Sequence, residues 1–216
     1  MILNTLVYVL KSRNQGDFDR VYTVFSKKYG KIEFVAKGAR KPLAKLSGYL
    51  ERPAKASVSL VEGQTLKLTS ALSDAQYLEI KGNLTSLNLA LRGMDLANKL
   101  ILAPEPDIEI FKLIGGFLDT EEVLAKKDSS LWQKHLAYYY FIVKLVNILG
   151  YGLEENKLLL ENRLTAKWLL ALCQKKNFPE ALKFFEKTEF PKYWQKEFKS
   201  WNIIFTKIIK DIPSIE

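Results

Sequence analysis

The 216-residue chain is short of the side chains that carry most covalent and metal chemistry. It has one cysteine, Cys173, and one histidine, His135. A single cysteine forms no disulfide within the chain and rules out zinc sites built on several cysteines. One histidine leaves most zinc and non-haem iron sites short of ligands. No metal and no cofactor are therefore expected. That histidine would have to act as the base for any serine or cysteine nucleophile. It stands in the first turn of the most apolar helical stretch, where a packed or solvated imidazole is the ordinary explanation. Cys173, within WLLALCQ, reads as a small core residue. The carboxylates are scattered, and the pair Glu121-Glu122 fits a helix start, where negative charge is favourable. No GxxxxGK[ST] or GxGxxG run is present to cradle a phosphate. Long uncharged runs are also missing: none exceeds ten residues, the longest being 1–10 and 82–91, too short to span a bilayer. The opening MILNTLVYVLKSR lacks the leading basic residues and small-residue cleavage site of an export signal. Together these absences lead us to expect a cytoplasmic chain without a catalytic site or a membrane span.

Positive charge is in surplus and unevenly placed. Lysine and arginine number 33 against 24 acidic residues, a formal +9. Residues 1–80 hold thirteen basic and seven acidic side chains, whereas 81–216 hold twenty and seventeen. Within 37–55, Lys37, Arg40, Lys41, Lys45, Arg52 and Lys55 face only Glu51. Charge gathered in this way points to a polyanion partner. A solvated basic surface that only aids solubility is the plainer reading.

Hydropathy divides the chain near residue 80. Before it the period is two: TLVYVL at 5–10, then 20–25, then 31–37 with Ile32, Phe34 and Ala36 inward. Val58 and Leu60, followed by Leu66, Leu68 and Leu72, complete five short strands separated by Gly16-Asp17, Tyr29-Gly30 and Glu62-Gly63. Such a set suits a small closed barrel, because closure removes exposed strand edges. The segment GARKPLAKLSGYLERP is too long for a hairpin loop and lies where a Greek-key OB barrel carries its connection; an SH3-like barrel fits the pattern as well. Beyond residue 83 the period becomes helical. Leu84 to Leu100 mark one run, stopped by Pro104 and Pro106. Asp107 caps a second, and Ser130 with Gln133 forms a capping box for a third that is apolar nearly all round and ends at Gly150. Thr165 opens a fourth, Asn177-Pro179-Glu180 a fifth, and a last helix runs from about 193 to 209. The expected architecture is thus mixed β then α: a five-stranded OB-like barrel over 1–80 and an all-α bundle over 81–216.

Single-strand binding on such a barrel pairs cations along the backbone path with aromatic rings on which bases stack. Arg20, Lys31 and Lys37 fall on the outward face of the second and third strands, with Tyr22 among them. Arg13 follows the first strand, and Arg40, Lys41 and Lys45 follow the third. Tyr8, Phe25 and Phe34 are read as core.

These residues also resemble a family. LVYVLKSRNQGDFDRVYTVFSKKYGKIEFVAKGARKPLAKLSGYLE is similar to the N-terminal domain of the bacterial recombination mediator RecO. The resemblance rests on LKSR, GDFDR, YGKIEFVAKGARKP, the spacing onward to LVEGQTLKLTSA, and LGYG at 149–152. It implies an OB barrel plus a helical domain, binding to single- and double-stranded DNA, strand annealing, and partnership with RecR and the single-stranded DNA-binding protein SSB. Many members follow the LGY segment with two Cys-x-x-Cys pairs that hold zinc; here Gly152 runs into LEENKLLLENRL without a cysteine. The acidic, apolar-ended C-terminal tail of SSB would need cations beside an apolar groove, and Lys126, Lys127 and Lys134 flank the start of the aromatic-rich third helix. An OB-fold RNA-binding module and a protein adaptor that does not bind DNA are the competing readings.

Overall fold

The computed structural model describes residues 1–41, 48–102, 104–151, 171–188, 194–196, 198–203 and 206. Five strands, β1 (Ile2–Gln15), β2 (Asp19–Ser26), β3 (Gly30–Ala36), β4 (Lys55–Val61) and β5 (Lys67–Ala75), close into a barrel in the order β1-β2-β3-β5-β4. All neighbours are antiparallel except β3 and β5, which meet in parallel where Val35 faces Lys67. The long β1 makes closure possible, since its first half pairs with β4 and its second half with β2. This is the OB topology.

The interior is filled by Val7 and Val9 of β1, Tyr22 and Val24 of β2, Phe34 and Ala36 of β3, and by Ala56, Val58, Leu60 and Ala71. Tyr22 is therefore not on the outward face expected of it. It stands opposite Phe34 in the ladder, is 0% exposed, and its ring lies 5.7 Å from that of Phe34. The parity of β2 was unreadable because both of its faces are buried. Val21 and Phe25, on the outer face, are as covered as Tyr22 and Val24 inside. Arg20, opposite Ala36, shares the inward parity and is half-buried at the barrel's end.

A bulge in β1 shifts the register between Val9 and Lys11. The extra residue, Leu10, joins the outer core, and Lys11 is returned to the outward side opposite Thr23. Bulges re-aim side chains in this way.

Helices follow: α1 (Leu78–Gly82), α2 (Leu84–Leu100), α3 (Ile108–Lys126), α4 (Leu131–Ile148) and α5 (Phe178–Glu186). Their starts are capped as the sequence signals. Asp107 Oδ1 accepts from the amides of Glu109 and Ile110, Gln133 Oε1 accepts from the Ser130 amide, and Asn177 Oδ1 accepts from the Glu180 amide. Glu121 and Glu122 begin no helix, because α3 runs through them. The Glu122 carboxylate instead accepts from the amides of Glu79 and Ile80 and so caps α1. Residues 171–173, 194–196 and 198–203 are also helical. Thr165 and Lys45 lie outside the described residues, as do parts of the expected last helix.

Barrel and helices share one apolar cluster. Tyr8, Leu10 and Phe25 project from the outer face of β1 and β2 into the same core as α2, α3 and α4. The Tyr8 ring lies 4.8 Å from that of Phe111. Gly115 admits the Tyr8 hydroxyl so closely that a Cβ there would lie 2.3 Å from it. Gly30, at φ +64° in the β2–β3 turn, meets the 104–105 backbone equally closely. Beside it Lys31 donates through Nζ to the carbonyls of Asn98 (2.5 Å) and Ile101 (2.8 Å), closing the C-terminal end of α2. Among the described residues no helix is long and apolar enough to cross a membrane.

Candidate nucleic-acid interface

The outer face of β1-β2-β3 is ordered in rows by its ladder. The row Tyr8-Phe25-Lys31 lies against the helices. Beyond it come Lys11-Thr23-Glu33, Arg13-Val21-Val35 and Gln15-Asp19, with Lys37 continuing the outward parity of β3 past Val35. The helices thus cover one end of this face and leave the other to solvent with Lys11, Arg13 and Lys37 exposed. Arg13 Nη2 lies 3.5 Å from Glu33 Oε2, whose other oxygen accepts from Thr23 Oγ1 at 2.6 Å.

At the open end two turns are clamped together. The Arg40 amide donates to the Phe18 carbonyl at 2.9 Å, and its guanidinium to the Gly16 carbonyl at 3.1 Å. The Asp19 carboxylate accepts from the Gly38 amide at 2.8 Å and pairs with Lys37 Nζ at 2.9 Å. The Gly38 hydrogen bond and then Lys37 hold the Asp19 carboxyl below its ordinary range. Gly16 and Gly38, at φ +57° and +64°, supply the left-handed backbone that both turns require. The clamp gathers Lys37, Arg40 and Lys41 at one edge of the barrel. The Arg13–Glu33 pair is exposed on both sides and Lys37 is exposed above a half-buried Asp19, and exposed pairs contribute little, about 0–1 kcal/mol. A phosphate can therefore compete for these cations.

The expected cations thus divide. Arg13, Lys37, Arg40 and Lys41 share the open end of the face. Lys31 is half-buried and committed to the end of α2, and the same burial lowers its pKa. Tyr22 and Arg20 belong to the inward parity, and no base can reach the Tyr22 ring. Two residues were missed. Lys11 owes its outward direction to the bulge, which alternation alone hides. Phe18, 53% exposed at the tip of the β1–β2 turn, reads in sequence as part of the turn signal GDFDR rather than as a site.

Among the helices, Lys126 and Lys127 are exposed at the end of α3. Lys127 borders a groove of about 590 Å³ lined by Val123, Leu124, Phe178 and Leu182, with Asp119 and Glu186 also on its walls. Lys134 is no surface cation: it is 3% exposed. It lies on the stripe of Tyr138, Phe141 and Leu145, which faces into the bundle, and it acts there on the fully buried Glu121. His135 packs its ring 5.6 Å from that of Phe198, with Nδ1 2.9 Å from the Leu131 carbonyl oxygen. Among the described residues no three His, Cys, Asp or Glu side chains gather as metal ligands would.

Residues 1–77 match the family model described as Recombination protein O N terminal. The chain is also similar to proteins named DNA repair protein RecO. It is 31% identical to that of Acetivibrio thermocellus over 151 residues, covering 69% of this chain and 58% of the relative. For Pelobacter propionicus the identity is 29% over 146 residues, covering 67% and 56%. For Chloroherpeton thalassium it is 26% over 166 residues, covering 76% and 62%. The chain spans less than two thirds of the length of each of these relatives.

Proposed function

The chain belongs to the RecO family, and from that premise we propose that it is a DNA repair and homologous recombination protein that binds single- and double-stranded DNA on the open outer face of its barrel. The observation that carries the reading is the clamped pair of turns, which sets Lys37, Arg40 and Lys41 together beside the open rows that hold Lys11 and Arg13. Backbone amides and a carboxylate fix the turns, so the cations are pre-positioned and phosphate binding needs little ordering. The barrel acts as the DNA-binding unit over 1–80, and the helices over 81–216 as the partner-binding unit.

The finer activity is annealing of complementary strands and, with RecR, help in loading recombinase onto SSB-coated DNA. No catalytic residue is required. Cations screen the repulsion between two phosphate backbones, and contacts weak enough to exchange let base pairing take over. The SSB tail would place its apolar end in the groove between α3 and α5, with Lys126 and Lys127 near its carboxylates. Asp119 and Glu186 on the same walls keep that contact weak and salt-sensitive.

The test is annealing of complementary SSB-coated oligonucleotides with and without the full chain. Accelerated annealing is expected. Failure to bind either single- or double-stranded DNA at low salt refutes the reading.

A further inference from the structure

We propose that Phe18 is a stacking platform for one unpaired base of a single strand, a role that rests on the DNA-binding reading above. The ring is 53% exposed. Apart from it and Tyr49, the exposed large apolar side chains among the described residues are aliphatic. An exposed phenyl ring on a turn gains nothing from the fold, since it is not part of either core cluster. Its backbone, by contrast, is held unusually well for a turn tip. Its own carbonyl accepts from the Arg40 amide, the carbonyl two residues before it accepts from the Arg40 guanidinium, and the following residue, Asp19, is fixed by Gly38 and Lys37. The ring is therefore presented from a rigid base.

The surroundings identify the ligand. Lys41 Nζ stands 5.7 Å from the centre of the ring. Arg40 and Lys37 occupy the same clamp, so an aromatic face and three cations lie within the reach of a single nucleotide. Stacking a base on a ring while its phosphates meet neighbouring cations is how single strands are held without sequence preference. A duplex keeps its bases stacked on one another and offers this ring none, although its phosphates can use the same cations. The geometry thus assigns two layers to one site: cations that serve both forms of DNA, and a ring that serves only the single strand. For annealing, such a ring would hold a base unstacked on one strand and yield it when the complementary base arrives.

The experiment compares wild type, Phe18→Ala and Phe18→Trp, each as the full chain, by fluorescence anisotropy on an oligo(dT) strand and on a hairpin duplex. Phe18→Ala is expected to weaken oligo(dT) binding by about fivefold or more and to leave duplex binding within about twofold. Its salt slope should not change, because no charge is lost. Phe18→Trp is expected to retain affinity, and its additional indole emission to be quenched by oligo(dT) but not by the duplex. Oligo(dT) affinity of Phe18→Ala equal to wild type overturns the stacking role while leaving the DNA reading intact. Equal losses on both substrates overturn it too, by showing that the residue acts through the turn. Wild type that binds neither substrate refutes the DNA reading and this inference with it.

Discussion

Glu121 carries a prediction about stability. Its carboxylate is 0% exposed on α3, and neither oxygen has a hydrogen-bond partner. Burial pushes its pKa up to about 8, against the opposing pull of the Ser86 hydroxyl, which is close but outside hydrogen-bond geometry, and of the Lys134 charge. In the unfolded chain the group titrates near its ordinary value of about 4.3. Between these two values the folded protein holds a proton that the unfolded chain has released. Raising the pH through this window therefore favours unfolding, at up to about 1.4 kcal/mol per unit. The contribution is absent well below pH 4 and levels off above pH 8. From pH 6 to pH 8 it amounts to about 2 kcal/mol, or roughly 4–8 °C in melting temperature for a chain of this size. Glu121→Gln fills nearly the same volume and cannot ionise. Its melting temperature should exceed that of wild type by an increment that grows between pH 6 and pH 8 by this amount. Differencing the two melting curves cancels the titration of every other group. An increment independent of pH would mean that Glu121 is ionised in the fold, and the argument would fail. The companion change Lys134→Met removes the opposing positive charge, and should steepen the alkaline loss of stability in a chain that retains Glu121.

Three further outcomes are expected. Reversing Arg40 and Lys41 to Glu should weaken binding to all DNA sequences alike and reduce the salt slope on single strands by up to about 1.4 log units, at about 0.7 per lost contact; an unchanged slope in a salt titration would remove both from the interface. Gly115→Ala should destabilise the chain by about 1–3 kcal/mol in urea unfolding, because the new methyl would stand 2.3 Å from the Tyr8 hydroxyl; a variant as stable as wild type would mean that the barrel–helix junction tolerates repacking. Elemental analysis of the dialysed, tag-free protein should find no stoichiometric zinc, and a chelator should leave its melting temperature unchanged, since one Cys and one His cannot supply a four-ligand structural site.

Local signals carried much of the architecture. The caps at Asp107, Ser130 and Asn177 were legible because a cap is a bond between residues two or three apart, as the distances from Asp107 to Glu109 and from Asn177 to Glu180 show. The places of the five strands followed from turns and alternation, whereas their order in the barrel did not, since the pattern fits an SH3-like barrel as well. What alternation could not give was the facing of β2, because alternation exists only where one side of a strand meets water. Between Val21 and Phe25 neither side does. Helices cover part of one side and the barrel fills the other, so Tyr22 and Phe25 carry the same hydrophobic signature with opposite directions. Lys134 misled for a related reason. A lysine in the first turn of a helix reads as solvated unless the buried partner is known, and Glu121 is thirteen residues away on another helix.

The site itself follows from how one sheet face is shared. The outer side of β1-β2-β3 is apolar where Tyr8, Leu10 and Phe25 meet the helices and cationic beyond. The bulge at Leu10 sets that border. Were Leu10 paired regularly in the ladder instead of bulged, strict alternation from Tyr8 would send Lys11 and Arg13 inward, with Lys11 opposite Tyr22, a burial of unpaired charge that the barrel could not sustain. With the bulge, Lys11 emerges one row and Arg13 two rows past the row that meets the helices. Lys31, in the apolar row, is retained only because two helical carbonyls receive its ammonium. The cation count in the first third of the sequence therefore overstates the cations on the open face, and the strand register decides which of them reach it. Lys11, Arg13 and Lys37 lie in open rows, while Arg40 and Lys41 join them through a turn whose geometry depends on Asp19 and Gly38. A ligand that spans these rows runs along the strands from Lys11 past Arg13 toward the open end, with Lys37 and Phe18 at the far edge of its path.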